Sequence, residues 1–156
     1  MEFEVVKVRE ADREDIDIVY DLIKAIARHH VQEHFVTITK DELAKSGFSD
    51  DPKFGVLLAK IDGEIVGYVS YTWNYSIWSG SSYMNIDDIF VWEKLRGHKV
   101  GEALMTNART ICEKKGVRSI KWEVEENNQK AIKFYKRLGT EVSIKGVCRW
   151  RLSPSL

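Results

Sequence analysis

The stretch from Ile86 to Tyr135 constrains the fold most, because strand-like and helix-like patterns alternate along it in a fixed order. It opens on an apolar strand, residues 86–92, and a polar turn leads from this strand into a basic, glycine-bearing loop, residues 96–101. A helix, a second strand and a second helix follow over residues 100–115, 118–125 and 128–138. Backbone N–H groups and the positive end of the helix dipole point at one spot in such a loop. The sequence therefore predicts that a phosphate-bearing ligand binds there.

The beginning of the chain predicts a strand and a helix. Residues 3–9 are rich in valine, which favours a strand, and an apolar stripe at helical spacing predicts a helix that runs to about His30. Asp12 and Asp15 have the spacing of a capping box at the start of this helix, although the second residue of such a box is usually Glu or Gln.

The middle and the end of the chain add a short helix and further strands. Thr39 with Glu42 forms a second capping box, which predicts a short helix. Asp62-Gly63 predicts a tight hairpin, because an Asp-Gly pair between strand-like runs is typical of one. The strands predicted here cover residues 54–60, 64–73 and 83–92, and a late strand or hairpin over 141–152 turns at Lys145-Gly146.

Composition excludes several classes of protein. The chain has 156 residues, of which 44% are apolar, and this is enough for one domain with a mixed core. Its 24 basic and 24 acidic residues cancel, which argues against nucleic-acid binding through bulk charge. No signal-peptide pattern and no long apolar run is present, so we expect a cytoplasmic protein with no membrane partner. Cys112 and Cys148 have neither disulfide nor metal-site spacing, and we expect no metal.

The motifs of the central stretch occur in the order strand, R-G-x-x-x-G, helix, strand, N-x-x-A-I-x-F-Y-x-x-x-G. In this order they resemble the GNAT superfamily of acetyl-CoA-dependent N-acetyltransferases. Further segments resemble its diamine (spermidine/spermine) acetyltransferase branch: 22–24, 39–43, 47–48, 65–67, 134–137 and 150–152. The resemblance covers nearly the whole chain. It implies an α/β (α+β) fold with a mixed central sheet of about six to seven strands, helices on both faces, a single domain over residues 1–156, and a homodimer.

The resemblance also implies where acetyl-CoA, the co-substrate, would bind. The loop pattern Q/R-x-x-G-x-G/A falls on residues 96–101, and the strand that pairs with the pantetheine arm falls on residues 89–91. Lys99 stands where the family has a glycine, so its side chain either changes the backbone angle or adds a cation beside the phosphate. The implied cofactor-binding residues are Ile89, Phe90, Val91, Arg96, Gly97, His98, Lys99, Val100, Gly101, Glu102, Glu123, Asn128 and Ala131. Asn128 could equally be a helix N-cap, and the loop an ordinary helix start.

Tyr135 is the candidate catalytic acid. Amide formation from an acyl thioester requires departure of a thiolate, which leaves best when it is protonated. A phenol has a pKa near 10 and an alkyl thiol one near 8.5, so a tyrosine is protonated at neutral pH and can still donate. The position of Tyr135 at the end of the asparagine-to-tyrosine motif matches the tyrosine acid of the diamine enzymes. The alternative is a helix aromatic that packs on the sheet.

Asp87 is the candidate base. An alkylamine with a pKa near 10.4 is neutral in only about one molecule in 2,500 at pH 7, so a carboxylate must hold the ammonium while its proton is lost. Asp87 aligns with the strand glutamate of the family in this role. Neighbouring strand residues point to opposite faces, so Asp87 and Asp88 line the same cleft only if the backbone is irregular. Alternatively, both are solvated charges at a strand edge.

Candidates for acceptor binding are less well defined. The diamine enzymes carry an aromatic-acidic cluster after the first helix, whereas this chain reads Arg-His-His-Val-Gln-Glu-His over residues 28–34, in which Glu33 alone is acidic. His30 and His34 are four residues apart, but no third metal ligand is evident. Trp78 could stack on a substrate. With Asp87, the candidate acceptor residues are therefore Trp78, His30 and Glu33.

Three functions remain open at this point. The first is acetyl transfer from acetyl-CoA to the primary amine of a small molecule, with a polyamine or a lysine-like compound as the candidate acceptors. The second is transfer to a protein N-terminus or lysine, against which the aromatic loop around Trp78 weighs. The third is a CoA-binding module without catalysis, against which Tyr135 and Asp87 weigh, because a binder needs neither.

Overall fold

A computed structural model describes residues 5–95, 97 and 99–153, in two compact units, Met1–Glu123 and Val124–Leu156. The mixed α/β class predicted from the sequence is confirmed, with one five-stranded sheet in the described chain instead of the six to seven strands expected. Its strands, in spatial order, are β1 Lys7–Glu10, β2 Gly55–Ile61, β3 Glu64–Ser76, β4 Ser81–Val91 and β5 Ile120–Lys121. The first four are antiparallel and β5 lies parallel to β4, so the sheet is mixed.

The helices lie close to their predicted positions. They are α1 Ile16–His29, α2 Lys40–Gly47, α3 Val100–Lys115 and α4 Gln129–Arg137, with single 3₁₀ turns at Arg13–Asp15, Glu33–Phe35 and Glu93–Leu95. Both predicted capping boxes are formed, from Asp12 with Asp15 and from Thr39 with Glu42. None of the helices in the described ranges is both long and apolar enough to cross a membrane.

Three predicted strands differ from the structure. The first begins at Lys7, and the predicted start at Phe3 lies outside the described residues. The strand expected over 118–125 is reduced to β5, which pairs with β4 at only two positions. Residues 141–153 form no strand, and most of them are exposed. A strand needs backbone partners in another segment, and strand-like composition alone does not supply them.

Helices cover both faces of the sheet within the first unit. On one face, apolar residues of α1 and α2 pack on the strands; the buried cluster is Val19, Leu22, Ile26, Leu43, Val56, Leu58, Tyr68 and Phe90. On the other face, α3 begins directly over Gly67 of β3. A Cβ atom at Gly67 would lie 2.8 Å from Val100 Cγ1 and 3.0 Å from Leu104 Cδ1. The absence of a side chain at Gly67 therefore sets how closely the start of α3 approaches the sheet.

The turns that join these elements have the expected geometry. Asp62 and Gly63 have φ angles of 50° and 82°, as a two-residue hairpin with both turn residues in the left-handed region requires, so the predicted Asp-Gly hairpin is confirmed. Val31, just after α1, also has a positive φ of 55°. The N–H of Gln32 donates to Ala27 O at 2.8 Å across this turn, which closes the end of α1 tightly.

Asp15 fixes the start of α1 to β1, and replacing it should weaken the fold. Its carboxylate accepts two hydrogen bonds from Arg9, at 2.6 and 2.8 Å, and is almost fully buried. The hydrogen bond from Arg9 lowers the pKa of Asp15 to about 2, from an ordinary value of 3.8. Asp15→Asn should therefore lower the free energy of unfolding at pH 7 by about 2 kcal/mol.

The pH dependence of this effect follows from the lowered pKa. The contribution of Asp15 is present above pH 4 and is lost as the pH falls through its folded pKa near 2. Urea unfolding of wild type and Asp15→Asn should therefore converge as the pH is lowered below 4. Asp17→Asn is a matched control, because this carboxylate also pairs with a cation, Lys40, but its side chain is 78% exposed. A difference between wild type and Asp15→Asn that stays constant with pH would contradict the assignment.

Candidate active site

A β-bulge interrupts the pairing of β3 with β4 at Asp87. Ser70 lies opposite Asp88 and the next residue, Tyr71, lies opposite Ile86, so Asp87 is an extra residue without a partner on β3. A bulge of this kind breaks the alternation of side chains and aims neighbouring residues differently. The irregular backbone that Asp87 and Asp88 need in order to line one cleft is therefore present, although nothing in the sequence marks it.

Asp87 and Asp88 act as one electrostatic group, called here the carboxylate pair. Burial raises the pKa of Asp87, and the charge of Asp88 raises it further, while a 3.0 Å hydrogen bond from Asn85 Nδ2 lowers it. Burial also raises the pKa of Asp88, against a lowering by His30. The pKa of Tyr68 is raised by its own burial and then by both carboxylates. The two residues are nonetheless solvent-exposed, as the alternative of solvated strand-edge charges expects, so burial does not decide between the two interpretations.

The strand that carries the pair is also separated from its other neighbour. β4 pairs with β5 only at Met84 and Asn85, so residues 86–91 have no strand partner on that side within the described chain. Ile89, Phe90 and Val91 belong to this open length. Backbone groups that are free of a ladder can bond an extended ligand. The predicted pantetheine strand thus has the open edge that its role requires.

The end of α1 packs against β4 close to the carboxylate pair. The ring of His29 lies 5.7 Å from that of Phe90 and nearly perpendicular to it, and His30 lies 5.3 Å from His29. The charge of His30 acts to lower the pKa of Asp88, so the two side chains lie near each other. His30 therefore lies near Asp88, the neighbour of Asp87, and His29 packs on Phe90 of the same strand.

The predicted phosphate loop leads into α3 through left-handed backbone. Gly97 and Lys99 have φ angles of 90° and 62°, and α3 begins at Val100. Lys99 occupies the N-cap position but makes no side-chain hydrogen bond to the helix, so it does not cap the N–H groups of the first turn, where Gly101 and Glu102 lie. These groups fit an anionic diphosphate. Arg96 and His98 lie outside the described residues.

Lys99 carries a conformational cost, because left-handed backbone disfavours residues with a Cβ by about 1–2 kcal/mol. Its side chain has not moved the backbone out of that region. Lys99→Gly should raise the free energy of unfolding by up to about 1 kcal/mol, since the gain is partly offset by the entropy of an unfolded glycine. If Lys99 also serves as a cation for the diphosphate, the variant should bind CoA several-fold more weakly. Urea unfolding measures the change in stability, and calorimetric titration measures the change in CoA affinity. If Lys99→Gly were less stable than the wild type, the strain assigned to Lys99 would be contradicted.

The second unit holds the candidates near the chain's end. The side chain of Asn128 caps α4, with its Oδ1 accepting from Ala131 N at 3.2 Å, so its role as a helix cap is confirmed. Tyr135 lies in the last turn of α4, is half-buried, and its ring lies 5.5 Å from that of Phe134. Burial raises the pKa of Tyr135, which keeps its hydroxyl protonated over a wider pH range.

Two predicted acceptor residues are placed less favourably. Trp78 is fully exposed at the tip of the β3–β4 hairpin, and the six residue steps along β4 from Ser81 to Asp87 put it roughly 20 Å from the carboxylate pair. Glu33 Oε1 lies 2.7 Å from Arg28 Nε, so the carboxylate of Glu33 is already paired with a cation. Glu123 is exposed just after β5. Of the predicted acceptor residues other than Asp87, His30 lies near the carboxylate pair, beside Asp88.

Two residues at the bulge were not among the site residues predicted from the sequence. Asp88 was weighed there but Asp87 was preferred, and Ser70 carried no motif. Ser70 is 8% exposed and lies directly opposite Asp88, next to the bulge. Its position in an alternating strand gave no signal, because the bulge decides which side chains meet. Within residues 5–95, 97 and 99–153, no group of three His, Cys, Asp or Glu side chains is arranged to hold a metal ion. Cys112 is buried and Cys148 exposed.

Several known proteins are similar to this chain in sequence or in fold. A mouse thialysine N-epsilon-acetyltransferase is 30% identical over 143 residues, which cover 86% of this chain and 84% of the mouse protein. A human spermidine/spermine N(1)-acetyltransferase-like protein 1 is 24% identical over 140 residues, 85% of this chain but 20% of that protein. Both agree with the predicted diamine branch. Among solved structures, aminoglycoside N-acetyltransferase AAC(6')-Iy in complex with CoA has a TM-score of 0.74 at 17% identity, covering 96% of this chain and 97% of its own.

A family profile is the broadest of these findings. The acetyltransferase (GNAT) family matches residues 16–140, which include the bulged strand, the glycine loop and the helix that carries Tyr135. The match spans both compact units of the chain. The predicted family is confirmed: the chain belongs to the GNAT family of N-acetyltransferases.

Proposed function

We propose that this protein transfers the acetyl group of acetyl-CoA to the primary amine of a small acceptor, with Asp87 as the group that receives the amine. The observation that carries the proposal is the bulge at Asp87, which leaves two adjacent carboxylates on β4 close to where β4 separates from β5. A carboxylate pair attracts an ammonium ion. An open strand edge beside it accommodates an extended acyl donor.

Acetyl-CoA would bind along two features of the first unit. The open edge at residues 89–91 would bond the pantetheine arm, and the uncapped N–H groups at the start of α3 would bond the diphosphate. Gly97 and Gly101 allow the backbone to approach closely. From the family pattern, Arg96, His98, Glu102, Glu123, Asn128 and Ala131 belong to the same site. The thioester of the bound co-substrate supplies the activated acetyl group.

The carboxylate pair addresses the main energetic obstacle. Bringing an amine of pKa near 10.4 to its neutral form at pH 7 costs about 4.6 kcal/mol. Asp87 and Asp88 hold the ammonium, and their raised pKa values reduce the gap over which the proton must move. Ser70 lies opposite Asp88 and adds a hydroxyl to the same place. The amine proton passes to Asp87 and from there to water.

Tyr135 completes the reaction at the leaving group. The neutral amine nitrogen attacks the thioester carbonyl, a C–N bond forms, and the C–S bond breaks. The phenol of Tyr135 gives its proton to the departing sulfur, and its raised pKa favours the protonated form before transfer. No covalent enzyme intermediate is needed. The acylated nitrogen loses its second proton to water as the amide forms, and the tyrosinate recovers a proton from water, so that no net proton is gained or lost in this step.

The acceptor is a small molecule in this proposal. Its relatives are named for thialysine, a lysine-like amino acid, and for spermidine and spermine, so both a lysine-like compound and a polyamine are candidates. Transfer to a protein N-terminus or lysine gains no specific support. A module that only binds CoA has no use for two adjacent carboxylates on the bulged strand.

We also propose that residues 1–156 act as one domain and as a homodimer. The C-terminal segment exposes large apolar side chains that a monomer has no reason to present to water: Ile144, Val147, Trp150 and Leu152, between 58% and 88% exposed. A second copy would cover them. Light scattering would measure the molar mass of the wild type and of Trp150→Ser. We expect the mass of a dimer for the wild type and a lower mass for the variant, and a monomeric wild type would contradict the dimer.

The direct test is release of free CoA thiol from acetyl-CoA in the presence of a panel of acceptors. The panel contains spermidine, 1,4-diaminobutane, ornithine, lysine and a short lysine peptide. Release with any small amine supports the proposal, and release with the peptide alone overturns it in favour of protein acetylation. If acetyl-CoA raises the melting temperature but no acceptor gives release, catalysis on this panel of amines is excluded.

A further inference from the structure

We propose that Asn85 is a positioning residue of the amine site, and that it holds Asp87 so that both carboxylates of the pair serve one acceptor amine. The inference rests on the proposed amine acetylation and deepens it, because it concerns how the receptor for the amine is built. Asn85 acts through Asp87 and need not touch the acceptor itself. Its place two residues before Asp87, on the same strand, makes this contact possible.

The register of β3 and β4 places Asp88 on the face of the sheet that α1 covers, called here the α1 face. Residues directly opposite each other in an antiparallel pair share a face, and so do residues two apart along a strand. Phe90 and Tyr68 lie opposite each other and belong to the cluster in which α1 packs on the sheet. Asp88 lies two residues before Phe90 and opposite Ser70, which is two residues after Tyr68. Asp88 therefore points to the α1 face.

Asn85 brings Asp87 to the same face. Asn85 lies opposite Thr72, two residues along β3 from Ser70, so its side chain also points to the α1 face. Asp87 is the extra residue of the bulge, so strand alternation does not set its direction. Its direction is shown by its contact, because Asn85 Nδ2 donates to Asp87 Oδ1 at 3.0 Å. Both carboxylates thus lie exposed on one face, where a single amine reaches Asp87 and Asp88 together.

The electrostatics agree with this placement and show what the hydrogen bond does. The pKa of Tyr68 is raised by its own burial and then by the charges of Asp88 and Asp87, as expected if all three share the α1 face. Burial raises the pKa of Asp87, and the charge of Asp88 raises it further. The N–H donor of Asn85 opposes both effects, because it stabilises the ionised carboxylate. Without this donor, repulsion from Asp88 would turn the side chain of Asp87 away and separate the pair.

Asn85 is suited to this role because its backbone is held on both sides. It pairs with Thr72 of β3 and with Lys121 of β5, and within the described part of the chain it is the last residue of β4 with a partner on β5. Its hydrogen bond engages Oδ1 of Asp87, so the other oxygen, Oδ2, is left to receive an ammonium N–H. A fixed donor therefore orients a carboxylate that still has an oxygen for the acceptor.

Removing the amide of Asn85 should weaken amine acetylation. Asn85→Leu keeps a side chain of similar size without a donor, and we expect kcat/KM for the most active small amine of the panel to fall by about tenfold, as loss of a hydrogen bond to a charged group gives. The KM for acetyl-CoA should not change. Asn85→Ala, which removes the amide without adding apolar volume, should show the same loss. If both variants keep the wild-type kcat/KM, the inference is overturned while the proposed function stands.

Asn74→Ala is the matched control. Asn74 lies on β3 of the same hairpin, and its Nδ2 donates to Tyr83 Oη at 3.4 Å instead of to a carboxylate. Its replacement removes an amide hydrogen bond of the hairpin without touching the carboxylate pair, so kcat/KM should equal that of wild type. A loss as large as that of Asn85→Leu would mean that the hairpin as a whole is sensitive, and it would overturn the assignment to Asn85.

A double-mutant cycle shows whether Asn85 acts through Asp87. Asn85→Leu should lower kcat/KM in the wild-type background but leave it unchanged in the Asp87→Asn background, where the carboxylate that it orients is already lost. A tenfold loss in both backgrounds would mean that Asn85 acts independently of Asp87, as a residue of purely structural effect would, and would overturn the inference. Absence of thiol release by the wild type with every amine would overturn the proposed function and the inference together.

Discussion

Tyr135→Phe should lower kcat by about a hundredfold to a thousandfold and change the KM for acetyl-CoA little. The substitution removes one oxygen atom from a half-buried side chain and keeps the ring beside Phe134. A positioned general acid contributes about 10²–10⁴ to a rate, and the thiolate would then have to leave unprotonated or be protonated by water. Steady-state thiol release over a range of acetyl-CoA concentrations measures kcat and KM separately.

The pH profile gives this prediction a second readout. Burial raises the pKa of Tyr135 above its ordinary value of 10, so the wild-type phenol remains protonated throughout the neutral and mildly alkaline range. The ratio of wild-type to variant kcat should therefore stay constant up to about pH 10 and fall above it. Tyr75→Phe is the control, since this tyrosine is 65% exposed on the β3–β4 hairpin. Equal kcat values for wild type and Tyr135→Phe would show that the acid is another group.

The parts of this fold that follow local rules could be predicted from the sequence. The two capping boxes, the Asp-Gly hairpin and α4 depend on residues close together in the chain, and each lies where expected. The sheet was overestimated for a different reason. Residues 118–125 and 141–152 have strand composition, but pairing depends on a partner elsewhere in the chain, which composition does not reveal.

Some parts of the candidate site could likewise be predicted from the sequence, and others could not. The glycine loop and Tyr135 belong to sequence motifs and could be assigned by resemblance. The carboxylate pair could not, because two adjacent aspartates on a regular strand point to opposite faces. The bulge between Ser70 and Tyr71 depends on the register of two strands, and register is a property of the folded sheet. The same limit explains why Trp78 was favoured: the length of the hairpin that carries it away from Asp87 is not apparent from composition.

Asp87→Asn should lower kcat/KM for the amine by about a hundredfold or more, yet leave the protein at least as stable as wild type at pH 7. The loss of activity follows because an amide neither attracts an ammonium ion nor accepts its proton. The stability follows because burial raises the pKa of Asp87, so its ionised form is disfavoured in the folded state. Thiol release and urea unfolding of the same preparation measure the two properties.

The sign of the stability effect separates Asp87 from Asp15. A raised pKa means that Asp87 favours folding most below its unfolded pKa near 4, and that this contribution is lost as the pH rises through its folded pKa. Asp15 has a lowered pKa and the opposite dependence. At pH 7 the same Asp→Asn change should thus weaken the fold at Asp15 and not at Asp87. If Asp87→Asn were both inactive and unstable, its carboxylate would be a structural group, and the bulge would have to be explained without catalysis.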